Sequence, residues 1–184
     1  MNFKGLKMNF SRIFLFIFVF IIVIFSLFYA NFSVFAENLP NESANSAETI
    51  AETPVVKPTA DEREMLKLLN DARAERGLPQ LIFDAQLTQL AREKAEDMVN
   101  NGYFAHISPN FGSPFDMMKN AGVMYTSAGE NIAENTTVAG ANNMLMLSDS
   151  HRANMLNPQF SRVGVGIMGG PREFKTIVQM FIEE

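Results

Sequence analysis

The chain has 184 residues, with 15 Lys or Arg, 20 Asp or Glu, two His and no Cys. That length fits one domain with extensions, and the absence of cysteine excludes a disulfide framework, so stability must come from core burial. Residues 1–36 hold three of the basic residues and none of the acidic ones, which leaves a formal net charge of −8 on the remainder. Such a balance argues against nucleic acid as a partner and against charge-driven binding to anionic lipid.

The N-terminus reads as an export segment. Lys4, Lys7 and Arg12 precede an apolar run from Ile13 to Tyr29, and Val34-Phe35-Ala36 offers a small-residue exit before Glu37. Basic start, apolar stretch and small exit together predict a secretory signal over 1–36. The run is 17 residues, longer than the ~7–15 of most signal cores and just short of the ~20 of a spanning helix. A retained membrane anchor is therefore the alternative to cleavage. Residues 37–58 are rich in Glu, Ser, Asn, Ala, Thr and Pro without aromatics, which predicts a disordered tether.

The domain is expected over 59–184. Thr59-Ala60-Asp61-Glu62 has the form of a capping box, and Met65, Leu69, Ala72 and Arg76 recur behind it at helical spacing up to a stop at Gly77. After the short apolar stretch Leu81-Ile82-Phe83, Asp84 can cap a second helix. Its Leu87, Leu90, Ala91, Ala95 and Met98 share a face, and Gly102 ends it. Ser113-Pro114 with Asp116 opens a third helix that ends at Gly122. A fourth helical segment is expected from Thr136 or Thr137, carrying Met144 and Leu147. The period then changes: Arg162–Ile167 and Phe174–Ile182 read as two strands joined at Gly169-Gly170-Pro171, a C-terminal hairpin. Helices followed by strands give an α+β domain.

Both histidines stand where elements end. His106 follows the second helix in Tyr103-Phe104-Ala105-His106-Ile107-Ser108-Pro109, and His151 lies in Ser148-Asp149-Ser150-His151-Arg152-Ala153-Asn154. Between them Ala128-Gly129-Glu130-Asn131-Ile132-Ala133 sets an acid beside an amide. Two imidazoles and one carboxylate can bind zinc with one position open, or act as a general acid/base cluster, since histidine titrates near neutrality. The plainer alternative is that each histidine satisfies loop backbone groups. Ser148, one turn before His151, lets a Ser-His-Glu arrangement be drawn, but no G-x-S-x-G elbow and no H-E-x-x-H motif accompany it. Asn131 is expected to fix the turn of Glu130, with Arg152 and Asn154 tying down the segment that carries His151. The methionines, Met117, Met118, Met144 and Met146 among them, are expected to fill the core.

Three of these phrases, YFAHISP, AGENIA and SDSHRANMLNPQFSRVGVGI, come in the order of the signature stretches of the bacterial CAP domain. LLNDARAERGLPQLIFDAQLTQLAREKAEDMVNNGYF before them is similar to that family's first two helices. Residues 61–184 thus resemble the CAP superfamily of secreted domains. The resemblance implies an α-β-α sandwich with a small antiparallel sheet between helical layers, residues 123–132 adding a third strand to the hairpin. It also implies a cleft holding two His and two Glu, of which His106, Glu130 and His151 match. The second acid is replaced by Ser148 and a preceding Trp by Leu145, so zinc is expected to bind weakly if at all and no cofactor is required. The function expected is an exported, non-catalytic, monomeric binding module for a small molecule, lipid-like ligand or peptide. It would touch the membrane only through an uncleaved N-terminus. The alternative is a metal-assisted or His/Glu acid-base hydrolase of extracellular or cell-wall peptide, with no catalytic residue assigned.

Overall fold

A computed structural model describes residues 56–184. The segment 1–36 and residues 37–55 of the expected tether lie outside the described residues. The last tether residues meet the domain: the Lys57 and Pro58 carbonyls accept from Arg92 Nη2 and Arg63 Nη1.

Local capping chemistry sets the helices. Thr59 and Glu62 close the capping box of α1, Ala60–Ala74. Asp84 accepts from the Leu87 N–H to start α2, Ala85–Asn101, and Gly102 ends it at φ 65°. Ser113 and Asp116 form a second capping box on α3, Pro114–Asn120. Thr137 caps α4, Val138–Leu147, which is followed directly by α5, Asp149–Met155. The buried side of α1 holds Glu62, Met65, Leu69 and Arg73, so Arg73 and not Ala72 or Arg76 continues the apolar stripe.

Four strands lie between the helices in the order β1-β3-β4-β2. These are β1, Ile82–Phe83; β2, Ser127–Asn135; β3, Arg162–Gly169; and β4, Lys175–Glu183. The expected hairpin is β3–β4, with Gly169 opposite Lys175. The sheet is mixed, not antiparallel throughout, because Ile82–Phe83 enters between two helices and runs parallel to Arg162–Val163. Asn70 holds that entry by bonding both the N–H and the carbonyl of Leu81. The third strand starts later than 123: Val123 N–H still donates to Met118 O of α3, and pairing begins where Ser127 meets Glu183.

Alternation along the strands divides the interior into two cores. Val163, Val165, Ile177, Phe181 and Ala133 face α1, α4 and α5. Val178, Met180, Ile182 and Ile132 face α2 and α3. This is the α-β-α sandwich. The α2 layer sits unusually close, because β3 presents Gly164 and Gly166 to it. A Cβ on Gly166 would stand 2.2 Å from the Ala91 carbonyl carbon and the Arg92 nitrogen. Met117 and Met118 fill core as expected, whereas Met144 and Leu147 are exposed and Leu145 takes the buried position on α4.

Candidate functional site

His106 sits in the loop after α2, and three anchors fix that loop. Lys94, from the buried side of α2, donates through Nζ to the His106 carbonyl at 2.8 Å. Asp97, one turn on, accepts from Ser108 Oγ at 2.6 Å, Asn110 Nδ2 at 2.6 Å, Asn101 Nδ2 at 2.8 Å and the Tyr103 hydroxyl. Burial alone would raise the Asp97 pKa, but these donors hold it below the ordinary value. Burial and the bond to Asp97 push the Tyr103 hydroxyl up to about 12. The third anchor is a main-chain bridge in which Ser108 and Gly112 exchange N–H···O bonds.

The imidazole itself points at the sheet. His106 Nδ1 donates to Glu130 Oε1 at 2.7 Å, with the histidine side chain 52 % exposed and the Glu130 side chain 2 %. Glu130 lies mid-way along β2, opposite Met180. Burial raises its pKa, and the bond and charge of His106, then the charge of Lys94, draw it back down. Its second oxygen, Oε2, is buried without a hydrogen-bond partner. A carboxylate that accepts from Nδ1 fixes the tautomer, leaving Nε2 of a half-exposed ring as a lone-pair acceptor or general base.

No hydrogen bond or ion pair joins the His151 side chain to His106 or Glu130 among the described residues. His151 lies on α5, a helix and not a loop, and the Asn131 side chain donates to its carbonyl at 3.0 Å. Asn131, adjacent to Glu130 but on the opposite face of β2, also donates to Gln179 Oε1 and accepts from Asn154 Nδ2, which in turn donates to the Glu130 carbonyl. Asn131 therefore does not fix a turn at Glu130, since both residues are in extended strand; it ties α5 to the edge of the sheet. Burial lowers the His151 pKa, and the charge of His106 lowers it further. Arg152 braces α5 by donating to the Met146 carbonyl and pairing with Asp149. Arg73, wholly buried, donates to the carbonyls of Pro79, Met155, Asn157 and Phe160, clasping the chain where α5 ends.

The metal reading fits poorly. Among the described residues no three His, Cys, Asp or Glu side chains stand close enough to hold an ion. His106 already occupies one oxygen of Glu130, and the half-buried Ser148 stands just before α5, its Oγ 3.3 Å from that of Ser150. Ser108 Oγ, two residues beyond His106, is engaged with Asp97 and with the N–H groups of Asn110 and Phe111. The flanks of His106 are apolar instead, with Phe104 and Ile107 both exposed. A groove of about 460 Å³ lies farther along α2 and α3, lined by Leu90, Phe111 and Met117 with Gln86, Gln89 and Glu93; it does not include His106.

The sequence profile of the cysteine-rich secretory protein family, CAP, matches residues 66–181. The chain belongs to the CAP family. Its CAP domain is 45 % identical over 109 residues to the Bacillus subtilis protein YkwD, a match covering 59 % of this chain and 42 % of that one. It is 36 % identical over 114 residues to the B. subtilis membrane protein YlbC, covering 59 % and 32 %. Among solved structures it is similar to an extracellular SCP-domain protein of Bacillus anthracis, with a TM-score of 0.62 and 32 % identity, covering 70 % of this chain and 45 % of that one. The CAP chain thus spans less than half the length of each of these relatives.

Lys94, Asp97 and Arg73 were not singled out by sequence reasoning. For two of them the signal was positional: Arg73 follows Leu69 by four residues, and Lys94 stands between Ala91 and Met98, so both fall on an apolar face.

Proposed function

We propose that this CAP domain is an exported binding module whose cleft, centred on His106 and Glu130 and rimmed by Phe104 and Ile107, takes a small molecule, lipid-like ligand or peptide. The observation that carries the reading is the buried Glu130: one oxygen orients His106 and the other is left without a donor. A carboxylate kept buried on a single bond is costly and serves to aim the half-exposed His106, whose Nε2 a ligand N–H or O–H would meet while its apolar part covers the exposed Phe104 and Ile107. The export half of the proposal is supported by the basic-then-apolar N-terminus and by the description of the B. anthracis relative as extracellular. Retention as an anchor is the variant that the membrane relative YlbC favours. The free Nε2 of His106 supports a second reading, a His/Glu acid-base hydrolase, which would need a water as nucleophile.

Calorimetric titration of the exported protein with a monoacylglycerol and with a blocked tetra-alanine peptide tests the binding reading. Either probe should bind, and His106→Ala and Glu130→Gln should each weaken it at least tenfold. Probe binding unchanged by both substitutions would place the ligand elsewhere, and steady peptide cleavage lost in His106→Ala would favour the hydrolase.

A further inference from the structure

The groove of about 460 Å³ along α2 and α3 has the size of an ordinary ligand site. Gln86, Gln89 and Glu93 recur at helical spacing and make its α2 wall, Leu90 and Met117 line it as buried apolar groups, and the exposed Phe111 stands at its rim. Its polar groups are oriented by the protein. Gln86 Nε2 donates to the Ala121 carbonyl at 2.7 Å, Gln89 Nε2 to Glu93 Oε1 at 3.1 Å and Asn110 Nδ2 to Asp97 Oδ1 at 2.6 Å. Only the nitrogen end of an amide can meet a carbonyl or carboxylate oxygen, so each of these side chains is held with its own oxygen free. Glu93 Oε2 is free as well, and among the described residues no Lys or Arg pairs with Glu93. The groove thus offers acceptors around an uncompensated negative charge, and of its amides Asn120 alone keeps an unspent nitrogen.

We propose that this groove is a second binding site, separate from the His106–Glu130 cleft, and that it takes the ammonium of a lysine-type side chain on a cationic peptide. An ammonium has three donors and no acceptor, which matches the free oxygens of Gln86, Gln89 and Asn110, and it carries the charge that Glu93 lacks. Its apolar stem lies along Leu90 and Met117, while the Phe111 ring covers it from the rim. The formal charge of −8 on residues 37–184 draws the same partner from a distance. A neutral sugar fits less well. Each of its hydroxyls accepts as well as donates, so it would leave Glu93 without a counter-charge and find few donors for its own oxygens.

The test is calorimetric titration of the exported protein with the blocked peptide acetyl-Ala-Lys-Ala-Lys-Ala-amide and with the same peptide acetylated on both lysine side chains. The lysine peptide should bind about tenfold more tightly than the acetylated one, and added salt should narrow that margin. Glu93→Gln, which deletes the charge and keeps the volume, should remove most of the margin, and Phe111→Ala should reduce it by about fivefold. Glu93→Gln decides alone should Phe111→Ala not melt cooperatively. Glu96→Gln removes an exposed acid one turn on, outside the groove, and should leave the margin as it is. His106→Ala should do the same, so the result stands apart from the cleft reading. The proposal is overturned by equal affinity for the two peptides, by a margin that Glu96→Gln reduces as much as Glu93→Gln does, or by one that His106→Ala removes. Chitotriose bound more tightly than the lysine peptide, and released by Phe111→Ala, would assign the groove to a neutral sugar and overturn it too.

Discussion

Replacing Gly166 by Ala asks how closely α2 is seated on the sheet. The added methyl would lie 2.2 Å from the Ala91 carbonyl carbon and 2.2 Å from the Arg92 nitrogen, where carbon–carbon contacts prefer about 3.5 Å. The helix or the strand must therefore give way by roughly 1.3 Å. Overpacking against side chains costs about 1–3 kcal/mol. Here the obstacles are main-chain atoms that cannot rotate aside, so the loss should reach about 3 kcal/mol. For a domain of this size each kcal/mol lowers Tm by about 3–4 °C, which predicts a fall of about 10 °C. Thermal and urea melts followed by circular dichroism measure it. Gly169→Ala is the control, since nothing lies within 4 Å of its added methyl, and it should stay within about 0.5 kcal/mol of the parent. Because α2 also carries Lys94 into the site, Gly166→Ala should weaken probe binding as well. If its melt coincides with that of Gly169→Ala, the close seating of α2 is refuted.

Arg73→Met strips four carbonyl acceptors, those of Pro79, Met155, Asn157 and Phe160, of their shared donor. It should cost about 3 kcal/mol in urea unfolding, and an Arg73→Met protein as stable as the parent would show the clasp to be idle. Glu62 supplies a pH-dependent stability term: burial pushes its pKa up, but the Arg92 bonds and the Thr59 N–H outweigh that and hold it below its ordinary 4.5. A lowered folded pKa gives stability that is present above the unfolded value and lost as pH falls below about 4.5. Glu62→Gln should accordingly destabilise by about 2 kcal/mol at pH 7, with the difference shrinking in melts taken progressively below pH 4.5; a gap independent of pH would contradict the assignment.

What was legible in the sequence was mostly local. Thr59 with Glu62, Asp84, and Ser113 with Asp116 announced their helices because a cap satisfies N–H groups within the next three residues. The β3–β4 hairpin was legible for the same reason, its turn and its alternation being contiguous. The parallel entry of Ile82–Phe83 was not, since two residues carry no period and the partner lies eighty positions away. Nor was the inward aim of Arg73 and Lys94, because long cationic side chains on a helix ordinarily reach solvent. Of the candidate trio, His106 and Glu130 meet directly. His151 is tied to β2 through its main-chain carbonyl by Asn131, not through its ring, and the structural part of that amide only the two-layer arrangement explains.

Glu130 and Asn131 are neighbours in the chain but face different halves of the molecule, one answering to α2 and its loop, the other to α5. The α2 and α5 layers are therefore indexed to each other by a single peptide unit. No substitution elsewhere can slide one side without the other, and a one-residue slip of β2 would exchange them, turning the carboxylate toward α5 and the amide toward His106. A deletion in β2 should thus break the His106–Glu130 pair and the Asn131 ties to α5 together, whereas changes in the loops at either end leave that alignment untouched.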